Sequence, residues 1–317
     1  METSIYTKAL CEGWFRIEKM KSDGNGSPIA STRTVVADWF PNLITDSGLD
    51  LLAVTKYLRA CHVGSGSDSP AISDARLKNW IGSTDTRFNQ VSDTNEKEGY
   101  GYTRITYRFE VGSAVGNISE LGIADDYSKD KYTLFSRALV LDQDGKPTSI
   151  TILPDEVLDV TYELRLYIPT VDNSGDITLS GSNATHHWTS RAIYCKGGQS
   201  PWSYMLGFPF SHTESNLFSF GIVAHSQVKL LDLSSSIPPS GSLHFTSAAS
   251  KPYTSGTHEI AYDFFADIDS CNFNEGIGWI AVTTTLGAYQ WMLDPPIKKN
   301  TTNKLKITMR FAWSRRS

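Results

Sequence analysis

The sequence predicts a mainly β protein with two short helices near its N-terminus, built as antiparallel, sandwich-like layers. Three stretches carry that expectation. In 160–168, Val160, Tyr162, Leu164, Leu166 and Ile168 are apolar, with Thr161, Glu163 and Arg165 between them. The alternation recurs at Thr103, Ile105, Tyr107, Phe109 and Val111, and again at Leu305, Ile307, Met309, Phe311 and Trp313. A period of two sends successive side chains to opposite faces of a strand, so each stretch reads as a ribbon with one greasy side.

The elements follow in order. Residues 13–20 form an opening strand, and 34–40 a second, closed by Pro41. Between them, 22–28 (SDGNGSP) supplies the Asp, Asn, Gly and Pro dihedrals of a reversal, so the pair reads as a hairpin. A first helix follows, capped by Thr45 or Asp46, with Leu49, Leu52, Ala53 and Tyr57 on one face. Residues 61–67 read as a short strand entering a glycine loop. A second short helix is expected over 74–81, capped by Ser73 and stopped by Gly82. From residue 102 onward the chain reads as almost wholly β. Runs 134–141 and 148–153 flank the turn signal DQDGKP and read as a hairpin.

After Pro169 the texture changes to Ser, Thr, Gly and aromatics with few charges. A boundary is expected there: a β-rich domain with two short helices over 1–169 and a second β-rich domain or insertion over 170–317. Ile307-Thr308-Met309-Arg310-Phe311 echoes Ile105-Thr106-Tyr107-Arg108-Phe109. This fits either a final strand, 305–313, returning to the first sheet or an ancient duplication; the sparse surrounding repeat favours the return.

Composition bounds the function. The chain has 317 residues, 40% hydrophobic and 20% charged, enough to bury a core. A net charge of -5 gives no electrostatic reason to expect nucleic-acid binding. No apolar run reaches the roughly 18 residues a membrane span needs. The first residues lack a basic segment followed by an apolar one, so synthesis and folding in a cytoplasm are expected. Four scattered cysteines, Cys11, Cys61, Cys195 and Cys271, form no C-x-x-C pair and read as packing residues.

Candidate chemistry is thin. Gly64-Ser65-Gly66-Ser67-Asp68 lacks the Gly-Lys-Ser/Thr of a phosphate loop and reads as a turn. Asp142, Asp144 and Gly145, like Asp172, Asn173, Gly175 and Asp176, lack the distant glutamate of a calcium loop. His186 and His187, adjacent on a strand, face opposite ways and share no metal. Asp263, Asp267, Asp269 and Glu275 form the densest acidic group, and a glycosidase needs two carboxylates across a cleft. No Gly-x-Ser-x-Gly elbow exists. The sequence therefore predicts no catalytic residue, cofactor or metal. The aromatics Trp188, Tyr194, Trp202, Tyr204, Phe208 and Phe210 crowd a weakly charged stretch. Of these, Trp188, Trp202, Tyr204 and Phe208 are the candidate interface or ligand contacts, because aromatic faces stack on sugars and dominate interfaces.

A set of segments carries a family resemblance: WFPNLITDSGLD at 39–50; VGSGS at 63–67 followed by Pro70 and Ser73-Asp74; GNISELGI at 116–123; LFSRA at 134–138; and VLDVTYEL at 157–164. In that order and spacing, the chain resembles structural proteins from the tails of double-stranded DNA bacteriophages, a tail and tail-fibre associated family. The likeness covers about 12–169 and the closing FAWSR at 311–315; residues 170–300 match nothing in it. The resemblance implies a non-enzymatic virion component in tail fibre, baseplate or collar. It would assemble as a homo-oligomer with other virion proteins and contribute to host attachment, with a host surface glycan as a further partner. The alternatives are a carbohydrate-binding β-sandwich module and, further off, a glycan-degrading tail enzyme.

Overall fold

The computed structural model describes residues 5–53, 59–95, 97–167, 171–193, 222–232, 240–284 and 287–316. The protein is mainly β: of the described residues 56% lie in strands, which form several antiparallel sheets, and among them there is one α-helix. The strands are β1 (Ile5–Lys21), β2 (Thr34–Pro41), β3 (Leu43–Ile44), β4 (Ala60–Gly64), β5 (Trp80–Thr84), β6 (Arg87–Asn95) and β7 (Tyr100–Phe109). They continue with β8 (Gly116–Ile118), β9 (Glu120–Ala124), β10 (Leu134–Leu139), β11 (Ile150–Ile152), β12 (Glu156–Tyr167), β13 (Asn173–Thr178) and β14 (Thr185–Ala192). The last are β15 (Ile222–His225), β16 (Leu243–His244), β17 (Ser247–Ser250), β18 (Glu259–Ala266), β19 (Ile277–Thr284), β20 (Gly287–Ile297) and β21 (Leu305–Arg315). The helix is α1 (Asp46–Ala53).

The three alternating stretches lie in one eight-stranded sheet, ordered β17-β18-β21-β1-β12-β7-β6 with β2 on β1. Tyr162 faces Phe15 on one side and Ile105 on the other. The period-two apolar residues Val160, Tyr162, Leu164, Ile105, Tyr107, Ile307, Met309 and Phe311 are buried. β21 runs parallel to β1, with Ile5 opposite Met309, the one parallel pairing among the described strands, and antiparallel to β18. Segment 305–313 thus sits in the first sheet. β17 and β18, from beyond the expected boundary near Pro169, extend the same sheet.

Two smaller sheets meet its apolar side. The five-stranded sheet β3-β10-β9-β4-β5 packs there with Cys61, Val63, Leu121, Ile123 and Phe135. The six-stranded sheet β13-β14-β20-β19-β15-β16 draws its strands from 173–297. It joins the same core where Trp291 meets Phe311 edge-on at 6.3 Å and Tyr289 lies 6.4 Å from that ring. One apolar cluster runs through these three sheets and takes in Ile118, Ile150 and Ile152 of the two-stranded β11-β8 sheet.

The first hairpin forms as read, β1 against β2, and Asp23 Oδ1 accepts the amides of Asn25 and Ser27 to make its turn. α1 starts where its cap places it: Thr45 Oγ1 accepts the Gly48 amide at 2.9 Å. Tyr57, expected on the same helix, lies outside the described residues. The second expected helix, 74–81, does not form. That segment is a run of turns leading into β5, with its amides taken by side chains. Asp74 Oδ2 accepts the Ala71 amide, and Glu120 accepts those of Lys78 and Asn79. With its donors spoken for by carboxylates, the segment has no need of the helical ladder. The expected hairpin 134–141/148–153 forms only at its tip, where Asp142 accepts the amide of Lys146 and Thr148 donates to Val140 O. Beyond it the flanks part: β10 joins β9 and β3, and β11 joins β8.

Candidate functional site

Three of the segments that carry the resemblance, 63–74, 116–123 and 134–138, converge on the five-stranded sheet around one buried guanidinium, while 157–164 and 311–315 lie in the eight-stranded sheet. Arg137 on β10 is fully buried. Its Nε donates to Glu120 Oε2 at 2.8 Å, one terminal nitrogen to Asp74 Oδ2 at 2.9 Å and the other to Asp68 O at 2.9 Å. Glu120, at the start of β9, is itself fully buried and accepts the amides of Gly66 (3.0 Å), Asn79 (2.7 Å) and Lys78 (3.1 Å). Hydrogen bonds from Lys78, Ala71 and Arg137 hold the Asp74 carboxyl below its ordinary pKa, against the upward push of burial. The glycines of the VGSGS stretch are required by this contact: a Cβ on Gly66 would lie 2.7 Å from the Glu120 carboxyl carbon. The loop is therefore a small anion nest filled by the chain's own carboxylate.

Beside it, His62 is buried and stacks on Tyr132 with ring centroids 3.9 Å apart. Trp80 Nε1 donates to His62 Nδ1 at 3.1 Å, which places the ring proton on Nε2, bonded to Asp126 O at 2.7 Å. Burial lowers its pKa to about 4, keeping the ring neutral.

The second feature is the outer face of the eight-stranded sheet, opposite the core. The register sets Trp14, Glu163 and Arg104 in one row and Glu18, Asp159 and Arg108 in another. Arg108 grips the buried Asp159 with two bonds of 2.8 Å, and that carboxylate raises the guanidinium pKa. Arg104 and Arg165 both bond Glu163. Flat rings lie against the cations: Phe88 3.7 Å from Arg108, Trp39 4.8 Å from Arg104, and Trp14 and Tyr100 4.7 and 4.8 Å from Arg165. Phe88 (54%) and Val91 (42%), on the edge strand β6, extend this face with exposed apolar surface. A rigid surface of arginine planes and aromatics is what interface centres are made of. Sequence reading placed Thr161, Glu163 and Arg165 on the outer face. It missed the partners, because pairing β12 with β1 and β7 is a tertiary event.

Of the candidate aromatic contacts, Trp188 on β14 is 5% exposed and packs in the core over Gly175, where a Cβ would stand 2.8 Å from its ring. Trp202, Tyr204 and Phe208 lie outside the described residues, as do Tyr194, Phe210 and Cys195. The remaining cysteines are buried thiols; burial raises Cys11 to about 12 and Cys271 to about 11.

The other motifs resolve into structure. Asp142 Oδ1 accepts the Asp144 and Lys146 amides, an Asx turn. His186 is buried with Nδ1 on Pro295 O, while His187 is exposed beside Asp176. Asp263 is held below its ordinary pKa: burial raises it, but Thr308, Lys306 and Lys251 outweigh that. Asp267 is held down by Lys304. A general acid at neutral pH needs the opposite shift. Among the described residues, no three His, Cys, Asp or Glu side chains gather to hold a metal, and no helix is long and apolar enough to cross a membrane.

The chain matches no protein-family model, no curated protein and no solved structure.

Proposed function

We propose that the chain is a non-enzymatic structural component of a tailed-phage virion, located in the tail and assembling as a homo-oligomer. In this reading the eight-stranded sheet forms one layer of a sandwich-like body and the five- and six-stranded sheets the other. Its outer face, where Phe88, Val91 and Arg104 reach solvent, meets a second copy or a neighbouring virion protein. The observation that carries the proposal is the convergence of resembling segments: 63–74, 116–123 and 134–138 meet around Arg137 in one buried ion network, and 39–50 is tied to the same strand by the Thr45 hydroxyl on Leu134 O. Segments lying between residues 63 and 138 are held in common by this network, and its chemistry is scaffolding. Every polar group of the nest bonds another part of the chain. The outer face supplies the means of assembly, since symmetry multiplies one modest contact into a stable particle.

Light scattering across a concentration series tests the assembly. The expected result is a discrete oligomer that Phe88→Ser with Val91→Lys converts to monomer while the melting temperature holds. A protein that stays monomeric at high concentration overturns the assembly claim. Electron microscopy of particles labelled with an antibody to this chain tests the location, with label on the tail expected; label confined to the capsid, or none, overturns it.

A further inference from the structure

A cleft of about 570 Å³ opens where the six-stranded sheet meets the eight-stranded one, between the β13–β14 turn, the end of β20 and the start of β21. Its size falls within the roughly 300–1,000 Å³ of small-ligand sites. Its floor is aliphatic, from the buried Ile177, Ile297, Leu305 and Ile307. Its rim carries the exposed Lys298, Lys304 and Lys306 with the buried Lys299 behind them, and among the described residues no carboxylate lines it, in a chain whose net charge is -5. The hydroxyls and amides of Thr178, Ser180, Ser182, Asn303 and Thr308 complete the wall.

Each lysine is held by something other than a lining carboxylate. Lys298 Nζ donates to Glu275 O at 2.7 Å and the buried Lys299 to Asn272 Oδ1 at 2.8 Å. Lys304 pairs with Asp267 at 2.9 Å and Lys306 with Asp263 at 3.3 Å, both from outside the cleft. The Lys304–Asp267 pair, exposed on both sides, is of the weak surface kind that another anion can replace, whereas Asp263 is half-buried under Lys306. Three features select the ligand class. Among the described residues no aromatic ring lines the cleft, so neither a base nor a sugar finds a stacking platform and the ligand is held by charge and hydrogen bonds over the aliphatic floor. No arginine lines it among the described residues, so the bidentate fork favoured for phosphopeptides is missing there. An aliphatic floor walled by hydroxyl and amide groups under a cationic rim suits a ring with one hydrophobic face, many hydroxyls and a negative charge.

We propose that this cleft binds an anionic saccharide, a sugar bearing carboxylate or phosphate. The inference deepens the host-contact part of the function proposed above and rests on that reading only for where the sugar comes from.

Isothermal calorimetry on the full chain, with trigalacturonic acid, a sialylated trisaccharide and a glucose-6-phosphate-capped disaccharide as probes, separates the carboxylate and phosphate sources. At least one acidic probe is expected to bind at least ten-fold more tightly than uncharged maltotriose. Lys298→Gln with Lys304→Gln, both at exposed positions, is expected to cost at least ten-fold of that affinity with the melting temperature unchanged; Lys129→Gln, far from the cleft, is expected to leave it intact. Three results overturn the proposal: no binding of any acidic probe, equal binding of maltotriose, or tighter binding of a single-stranded oligonucleotide. Because these measurements use the isolated protein, they fail or succeed independently of the light-scattering and particle-labelling tests.

Discussion

Arg137 and Glu120 show why a buried charge in this chain is a positioning device. Two ionised groups with no solvent contact are costly to desolvate, and only complete hydrogen bonding makes the arrangement tolerable. Here the guanidinium has three acceptors and the glutamate accepts three amides besides. Removing the cation leaves two carboxylates buried without it, so Arg137→Met is expected to lower the unfolding free energy by roughly 3–5 kcal/mol, read from the denaturant midpoint. A loss under about 1 kcal/mol, the scale of an ordinary surface pair, would deny the network its structural role. His62 gives a pH signature. Its pKa is 6.5 in the ordinary state and about 4 when folded, so between those values the unfolded chain binds the extra proton. The stabilisation is therefore complete above pH 6.5 and declines as the pH falls towards 4, by about 3 kcal/mol in all. Wild type should lose more stability than His62→Gln between pH 7 and pH 4.5; parallel profiles would show that the imidazole is not the sensor. The Glu120–Arg137 pair was not legible beforehand. A lone acid opening one strand and a lone base in another carry no period and no spacing that links them.

At the scale of the element, α1 was readable because capping and apolar spacing are local. What the sequence does not announce is how closely the helix lies on β10. A Cβ on Gly48 would sit 2.6 Å from the Phe135 carbonyl carbon. Thr45 Oγ1 donates to Leu134 O at 2.7 Å to hold that approach. In an isolated helix Gly→Ala gains about 1 kcal/mol. Here Gly48→Ala is expected to destabilise by about 1–3 kcal/mol, the range for overpacking, with thermal melting as the readout. A rise in melting temperature would show that helix and strand are free to separate. The segment 74–81 failed as a helix for the complementary reason: its cap signals were genuine turn signals, and its amides found acceptors on Glu120 that no window of local sequence contains.

For the whole molecule, the order of strands matters most. β21 lies between β18 and β1, so the last strand of the chain is internal to the largest sheet. Its Trp313 donates Nε1 to Leu49 O in α1 at 2.9 Å, and its Phe311 receives Tyr289 and Trp291 from the six-stranded sheet. A truncation ending at residue 304 is expected to abolish cooperative unfolding, measured by near-ultraviolet circular dichroism during a thermal scan. A sharp transition in the truncated protein would mean that the sheet stands without it.

By itself the sequence determined the β class, the two-faced strands, the first hairpin and the start of α1. These follow from periodicity, turn chemistry and capping, which are written within a few residues of where they act. Only the tertiary structure decided that β21 runs parallel beside β1, that 74–81 is a loop wrapped on a carboxylate, and that Trp188 belongs to the core. It alone also gathered the lysines of 298–306 around a cleft walled in part by 177–182. Those outcomes depend on which face meets which and on where buried charges find partners, and such contacts join residues that lie far apart along the chain.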